Sequence, residues 1–340
     1  MGFLKLILLG FSLSLISCGK VSFNIKRVPP KAFISTWRTT TPSESITLPL
    51  RTGFQYNATV NWGDGQVSHI TAFDDADAVH IYEEAGDHQI EINGIFQTIY
   101  FNNTGDKTKI ISIEELGEVD WRSFNNAFHG CSELVSVSGG DVSKVINMDA
   151  MFKEARKFSQ GDISRWDVSH LKSAASMFLW AETFNLPIDQ WNTSSLVDMR
   201  LMFHNAKAFN GAIGNWDTKN VDSMQWVFRG ASAFNQPLTH WNTSKVANMH
   251  SFAANTSFNQ PLSHFDVSKV LTMEQMFDNN PAFNQDISHW DVSSVANMGY
   301  MFRNASSFNQ DLSNWDVATG IPHPSFSSNA NSWILPKPSF

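Results

Sequence analysis

The sequence predicts an α/β solenoid of about 25 residues per turn, each turn one short strand and one short helix, preceded by a small all-β sandwich. Three observations carry that expectation. The first is a tryptophan column: Trp166, Trp191, Trp216, Trp241, Phe265, Trp290 and Trp315 are spaced by 25 residues, except for 24 between Trp241 and Phe265. A fixed period of this length marks stacked repeats that bury a core only together. The second is the apolar spacing inside each copy. Val295, Met298, Phe302 and Ala305 recur at three- and four-residue intervals, as on one helix face, with Val246/Met249/Phe252 and Val270/Met273/Phe277 as equivalents. The third is a set of alternating or β-branched segments ahead of the repeats, at 46–50, 56–62, 67–71, 88–92 and 97–101.

Residues 1–18 carry one early lysine and then an apolar run over 6–16, too short to span a bilayer and suited to a secretory signal. The run ends in Leu15-Ile16-Ser17-Cys18, which resembles the lipobox of bacterial lipoproteins. The resemblance implies that Cys18 is acylated and becomes the first residue after cleavage. Each buried CH₂ of such a lipid contributes about 0.8 kcal/mol, so several chains anchor durably. Residues 19–31, ending near Pro29-Pro30, read as a tether. The expected location is outside the cytoplasm, lipid-anchored to a bacterial membrane, with the outer membrane and cell surface as its site. The covalent lipid is the only cofactor-like group expected.

Residues 32–112 form the β-rich unit. It contains Val60-Asn61-Trp62-Gly63-Asp64-Gly65, then His80-Ile81-Tyr82, then an alternating run from Gly86 to Ile92. Asp64-Gly65 is a hairpin turn signal because glycine tolerates positive φ. This pattern resembles the polycystic-kidney-disease type of immunoglobulin-like domain, which usually has an aromatic where His88 stands. Asp64 is read as a turn residue bonding nearby backbone.

Residues 113–320 form the repeats. Pieces such as 287–290 read as strands with Ile287 inward, and Ser293 as a cap on the following helix. Indole rings stack from turn to turn. A buried Trp hides about 150–250 Å², worth up to roughly 4–6 kcal/mol at about 25 cal/mol/Å². Asn185, Asn210, Asn235, Asn259, Asn284 and Asn309 form a column expected to bond the backbone of neighbouring turns. A second column, from Asp141 and Asp167 through Asn192, Asp217, Asn242, Asp266 and Asp291 to Asp316, is expected to make Asx turns or cap helices. Residues 118–138 are a degenerate copy without the Trp and form the N-terminal cap, with Phe128, Cys131 and Leu134 in core positions. Cys131 reads as a small buried thiol. After Val317 the pattern dissolves among prolines. Residues 321–340 are then a C-terminal cap or tail in which Phe326 and Trp333 cover the last turn.

The copy FNQDIS-x-W-DVS-x-V-x-NM-x-x-MF resembles the BspA-like leucine-rich-repeat surface proteins, over roughly 118–320. That resemblance implies a leucine-rich-repeat-like coil, display on the cell surface, and binding to proteins or to other cells.

The chemistry of the chain points the same way. A net charge of −8 with 16% charged residues and no basic run argues against a nucleic-acid partner. No nucleophile–base motif or phosphate loop occurs, so no catalytic residue is assigned and no enzyme is expected. Three successive residues before the aromatic column are histidines: His240, His264 and His289. Side chains in one column lie about 5 Å apart, close enough to share a zinc ion or to repel when protonated; an exposed polar ladder is the alternative. Asp162, Asp286 and Asp311 share a column that other copies fill with Pro or Ala, which leaves no regular calcium ladder. Candidate binding residues are those that vary on the helix side: Trp226, Tyr300, His250, Leu201 and Gln275, together with Trp180. Exposed aromatics there would be binding hot spots, and packing between neighbouring turns would also account for them. One copy is short by a residue, placed between Met249 and Phe252. The leading expectation is a lipid-anchored, adhesin-like surface protein that binds through its repeats. A passive envelope or stalk protein and a carbohydrate-binding module stand beside it.

Overall fold

The computed structural model describes residues 30–340; the expected signal peptide, Cys18 and most of the expected tether lie outside the described residues. The alternating segments ahead of the repeats fold as strands: β1 (Phe33–Thr39), β2 (Glu44–Thr47), β3 (Tyr56–Asn61), β4 (Val67–Ile70), β5 (Val79–Tyr82), β6 (Gly86–Phe96) and β7 (Ile110–Glu115). One sheet runs β4-β3-β6-β1-β7 and continues into β8 (Ser136–Ser138) and β9 (Gln160–Asp162), while β2 and β5 pair as a separate two-stranded sheet. Alternation decides the inward faces. Phe33, Ser35, Trp37 and Thr39 of β1 are buried, as are Tyr56, Ala58 and Val60 of β3. Trp62, in the WGDG turn, is buried too, and its carbonyl accepts from the Tyr82 hydroxyl at 2.8 Å.

Segment 97–101 departs from expectation. It is not a strand, because its amides are used elsewhere. Phe101, Asn102 and Asn103 donate to the carbonyls of Ala127, Asn126 and His129, at 3.0, 3.1 and 2.9 Å. The β-rich unit thereby closes the open end of the first repeat coil. β7 and β8 pair in parallel, as do β8 and β9, so the sheet runs on from this unit into the first two repeats.

The expected α/β solenoid is not formed. Among the described residues there is no α-helix, only a single 3-10 turn at Ala76–Ala78. Each repeat is a coil of consecutive turns. In the coil holding Tyr300, the amides of Met298, Tyr300, Phe302 and Asn304 donate to Pro322, Pro324, Phe326 and Ser328 of the next coil, at 2.8–2.9 Å. The amides that follow the last three of these, of Met301, Arg303 and Ala305, bond three residues back, and that of Gly299 bonds the Asn297 side chain. An α-helix would need every amide to reach four residues back; here alternate amides point along the stack. Tyr300 and Asn304 both have φ of 59°, the third position of a type II turn. The turns still put core residues three and four apart, and for that reason the pattern reads as a helix. The differing signal is in the sequence: the second positive-φ column is mostly glycine or asparagine (Gly130, Asn205, Gly230, Asn255, Asn279, Asn304 and Asn329), residue types that tolerate this conformation, with Glu154 and Trp180 as the exceptions.

The expected strand at 287–290 is also a turn, closed by Trp290 N–H onto the Ile287 carbonyl. Strand-like pairing falls elsewhere, at single parallel bridges that link Asn147, Ser173, Asp198, Ser223, Asn248, Thr272 and Asn297. Ser293 caps no helix; its amide and hydroxyl both donate to the Asp291 carboxylate, in an Asx turn. The pattern does not dissolve after Val317 either. Ser325 and Asn329 have φ of 51° and 62°, and Phe326, Ala330 and Trp333 fill core positions, so one further coil forms.

Candidate functional site

The aromatic columns are fully engaged in the core. Trp166, Trp191 and Trp216 stack at 6.1 Å, and Trp290 on Trp315 at 6.4 Å. Each indole also donates to a carbonyl of the preceding coil: Trp191 to Ile163, Trp216 to Ile188, Trp241 to Ile213, Trp290 to Leu262 and Trp315 to Ile287, at 2.9–3.3 Å. The asparagine column forms a second ladder. The Asn185 side-chain oxygen accepts from the Asn210 amide, and so on through Asn235, Asn259, Asn284 and Asn309, at 2.8–3.0 Å.

The shortened copy is resolved differently from expectation. Ser251 and Asn255 take the two positive-φ positions, so Phe252 stands in the methionine column and Ala253 in the phenylalanine column. The missing residue therefore falls between Thr256 and Phe258. The buried Asn280, where most other copies have alanine, fills the place. Its amide nitrogen donates to Thr256 Oγ1 at 3.2 Å and the Phe258 carbonyl at 2.9 Å.

The three histidines do not converge. His264 Nε2 lies 2.7 Å from the Leu238 carbonyl and His289 Nε2 lies 2.8 Å from the Ser263 carbonyl, while His240 Nδ1 faces the Thr239 hydroxyl. Among the described residues no group of three or more His, Cys, Asp or Glu side chains is placed to hold a metal. His264 has a structural cause. Its neighbour Phe265 replaces tryptophan and has no side-chain N–H, and His264 supplies the missing donor to the carbonyl that an indole would have served. Cys131 is buried, and burial pushes its thiol pKa well up.

The variable positions do converge, on the face made by the turns. Trp180 is 36% exposed, lies 6.3 Å from the His204 ring and has the Arg156 guanidinium 5.6 Å from its centre. His204 lies 5.8 Å from Trp226, and Trp226 lies 5.6 Å from His250. The Arg229 guanidinium stands 5.9 Å from the Trp226 ring and donates to Ser251 Oγ and Gln275 Oε1, at 3.1 and 3.2 Å. Further along, the Arg303 guanidinium lies 4.6 Å from the Tyr300 ring and makes a two-pronged pair with the buried Asp278 carboxylate, at 2.8 and 2.6 Å. Leu201 occupies the same column with φ of 57°. Trp226 Nε1 and His204 Nδ1 are buried with no hydrogen-bond partner. Burial pushes the His204 pKa down to about 4, and the Arg229 charge adds to this. The His250 pKa is also lowered, by burial first, with the Glu274 carboxylate opposing and Arg229 assisting.

Sequence reasoning named Trp180, Trp226, His250 and Tyr300, and missed His204 and the three arginines. His204, Arg229 and Arg303 share the column three residues after Leu201, Trp226 and Tyr300, and Arg156 lies in another, a placement visible only once the helical reading is replaced by alternating turns.

The geometry defines a stacked-repeat protein with an aromatic–guanidinium face. The chain belongs to the family described as "Mycoplasma protein of unknown function, DUF285", whose model matches residues 122–241 and 222–333. No curated protein and no solved structure matches it.

Proposed function

We propose that this chain is a surface-displayed, lipid-anchored binding protein whose turn face, from Trp180 to Tyr300, holds a protein partner. The observation that carries the reading is the repeated pairing of an aromatic ring with an arginine on that face: Trp180 with Arg156, Trp226 with Arg229 and Tyr300 with Arg303. Trp, Tyr and Arg are the residues that dominate protein–protein binding energy, because each presents a large, semi-rigid apolar area with a polar handle. The phenylalanine and indole columns are consumed by stacking, whereas the copies differ on this face. Display at the surface rests on the Cys18 lipobox and on the resemblance to BspA-like surface proteins, and the WGDG unit serves as the spacer in this reading.

The test compares the full chain with a Trp180→Ala/Trp226→Ala variant. Proteins retained from cell-envelope and host-cell extracts are purified and titrated against both. A loss of affinity of tenfold or more in the variant is expected, since two truncated anchors cost about 2 kcal/mol or more. Equal affinity for both forms would refute binding through this face. Displacement of the retained partner by soluble glycans alone would instead favour the carbohydrate-binding reading, for which the half-exposed Trp180 is a suitable stacking platform.

A further inference from the structure

A second surface, on the β-rich unit, is independent of the repeat face. β5 pairs only with β2, in register Glu44↔Tyr82 to Thr47↔Val79. The Leu48 amide donates to the Ala78 carbonyl at 2.9 Å, which fixes the phase of the ladder. In an antiparallel pair hydrogen-bonded positions alternate. His80 and Tyr82 therefore turn their backbone groups toward β2, and Val79 and Ile81 turn theirs outward; the Val79 amide bonds the Ala76 carbonyl, which leaves the Val79 carbonyl and the amide and carbonyl of Ile81 on the open edge. Both outward residues are apolar and exposed, Val79 to 46% and Ile81 to 61%.

A groove of about 800 Å³ follows this free edge. Its walls hold three carboxylates, Asp64, Glu83 and Glu84, and no lysine or arginine. Asp64 is held in place by the Gln66 amide at 3.0 Å and by His80 Nε2 at 2.6 Å. His80 in turn stacks on Trp62 at 4.9 Å, and His88 stacks on Tyr82 at 3.6 Å. The wall is therefore rigid. The outward edge is an unpaired strand template, which proteins normally blunt with charge, proline or a covering segment; here it is lined by apolar side chains and faces negative charge.

We propose that this groove takes an extended, basic segment of a partner protein, which adds as a third strand beside β5. Main-chain bonds to the Ile81 amide and carbonyl and to the Val79 carbonyl supply affinity, as in other strand-addition complexes. Lysine or arginine side chains of the segment meet Asp64, Glu83 and Glu84, and its alternate apolar residues cover Val79 and Ile81.

The test uses the full chain and a fluorescent nine-residue peptide alternating lysine with valine. Binding that weakens as salt is raised is expected, with no binding of the matching glutamate–valine peptide. Ile81→Pro removes only an outward amide, and proline is tolerated at a strand edge; it is expected to weaken binding at least tenfold with the thermal midpoint unchanged. Glu83→Lys/Glu84→Lys should weaken it to a similar degree. Should Ile81→Pro disturb folding, N-methylation of alternate peptide amides gives the same reading on the unaltered chain. Equal binding of both peptides, absence of binding at millimolar peptide, or indifference to the edge amide would each overturn the proposal.

Discussion

His264 is expected to stand in for a missing indole, and a double substitution tests this. Where the column holds tryptophan, its N–H satisfies a buried carbonyl of the coil below. At Phe265 that donor is absent, and His264 Nε2 reaches the Leu238 carbonyl at 2.7 Å instead. Leu238 is fully buried. That carbonyl also accepts from the Trp241 amide at 3.1 Å, so His264→Ala removes one of two donors and should destabilise the chain by about 0.5–1.5 kcal/mol in urea unfolding followed by circular dichroism. Phe265→Trp restores the indole. In that background His264→Ala should cost close to nothing, a coupling of about 0.5–1 kcal/mol across the pair. Additive effects of the two substitutions would refute the reasoning, and so would an unchanged midpoint for His264→Ala alone.

Two further outcomes follow from the same geometry. Asn280 also accepts from the amides of Ala282 and Phe283, at 3.2 and 3.1 Å, so Asn280→Ala breaks four bonds in a dry site. A loss of about 2–4 kcal/mol in urea unfolding is expected, and insertion of one alanine between Thr256 and Phe258 should recover part of it. His204 has a folded pKa of about 4, below its ordinary value near 6.5. A depressed pKa favours the neutral ring, so the stability it contributes is complete above about pH 6.5 and is lost as pH falls toward 4. The thermal midpoint of the native chain should drop across that window, and His204→Gln should flatten the drop; a parallel drop in the variant would assign it to other groups.

Much of the architecture is legible in the chain because repetition averages over local ambiguity. The tryptophan and asparagine columns are readable as a stack, since identical residues at a fixed spacing meet only if the coils lie one on another. The turn at Asp64-Gly65 is readable because glycine supplies the positive φ that it needs. The segments that misread are those whose backbone partners lie outside them. Residues 97–101 look like a strand, but the chain acts as a lid there, since the amides of Phe101, Asn102 and Asn103 are claimed by the first coil. The face holding His204 and Arg229 is obscured by a helical reading that assigns neighbouring columns to different directions.

The sequence by itself determined the period, the residues of the core and the turns that glycine and asparagine permit, all of which depend on local chemistry repeated in register. Only the tertiary structure decided between helix and turn. Core spacing of three and four residues suits both, and the choice depends on where alternate amides find acceptors. Those acceptors belong to the next coil, a partner that no single repeat contains.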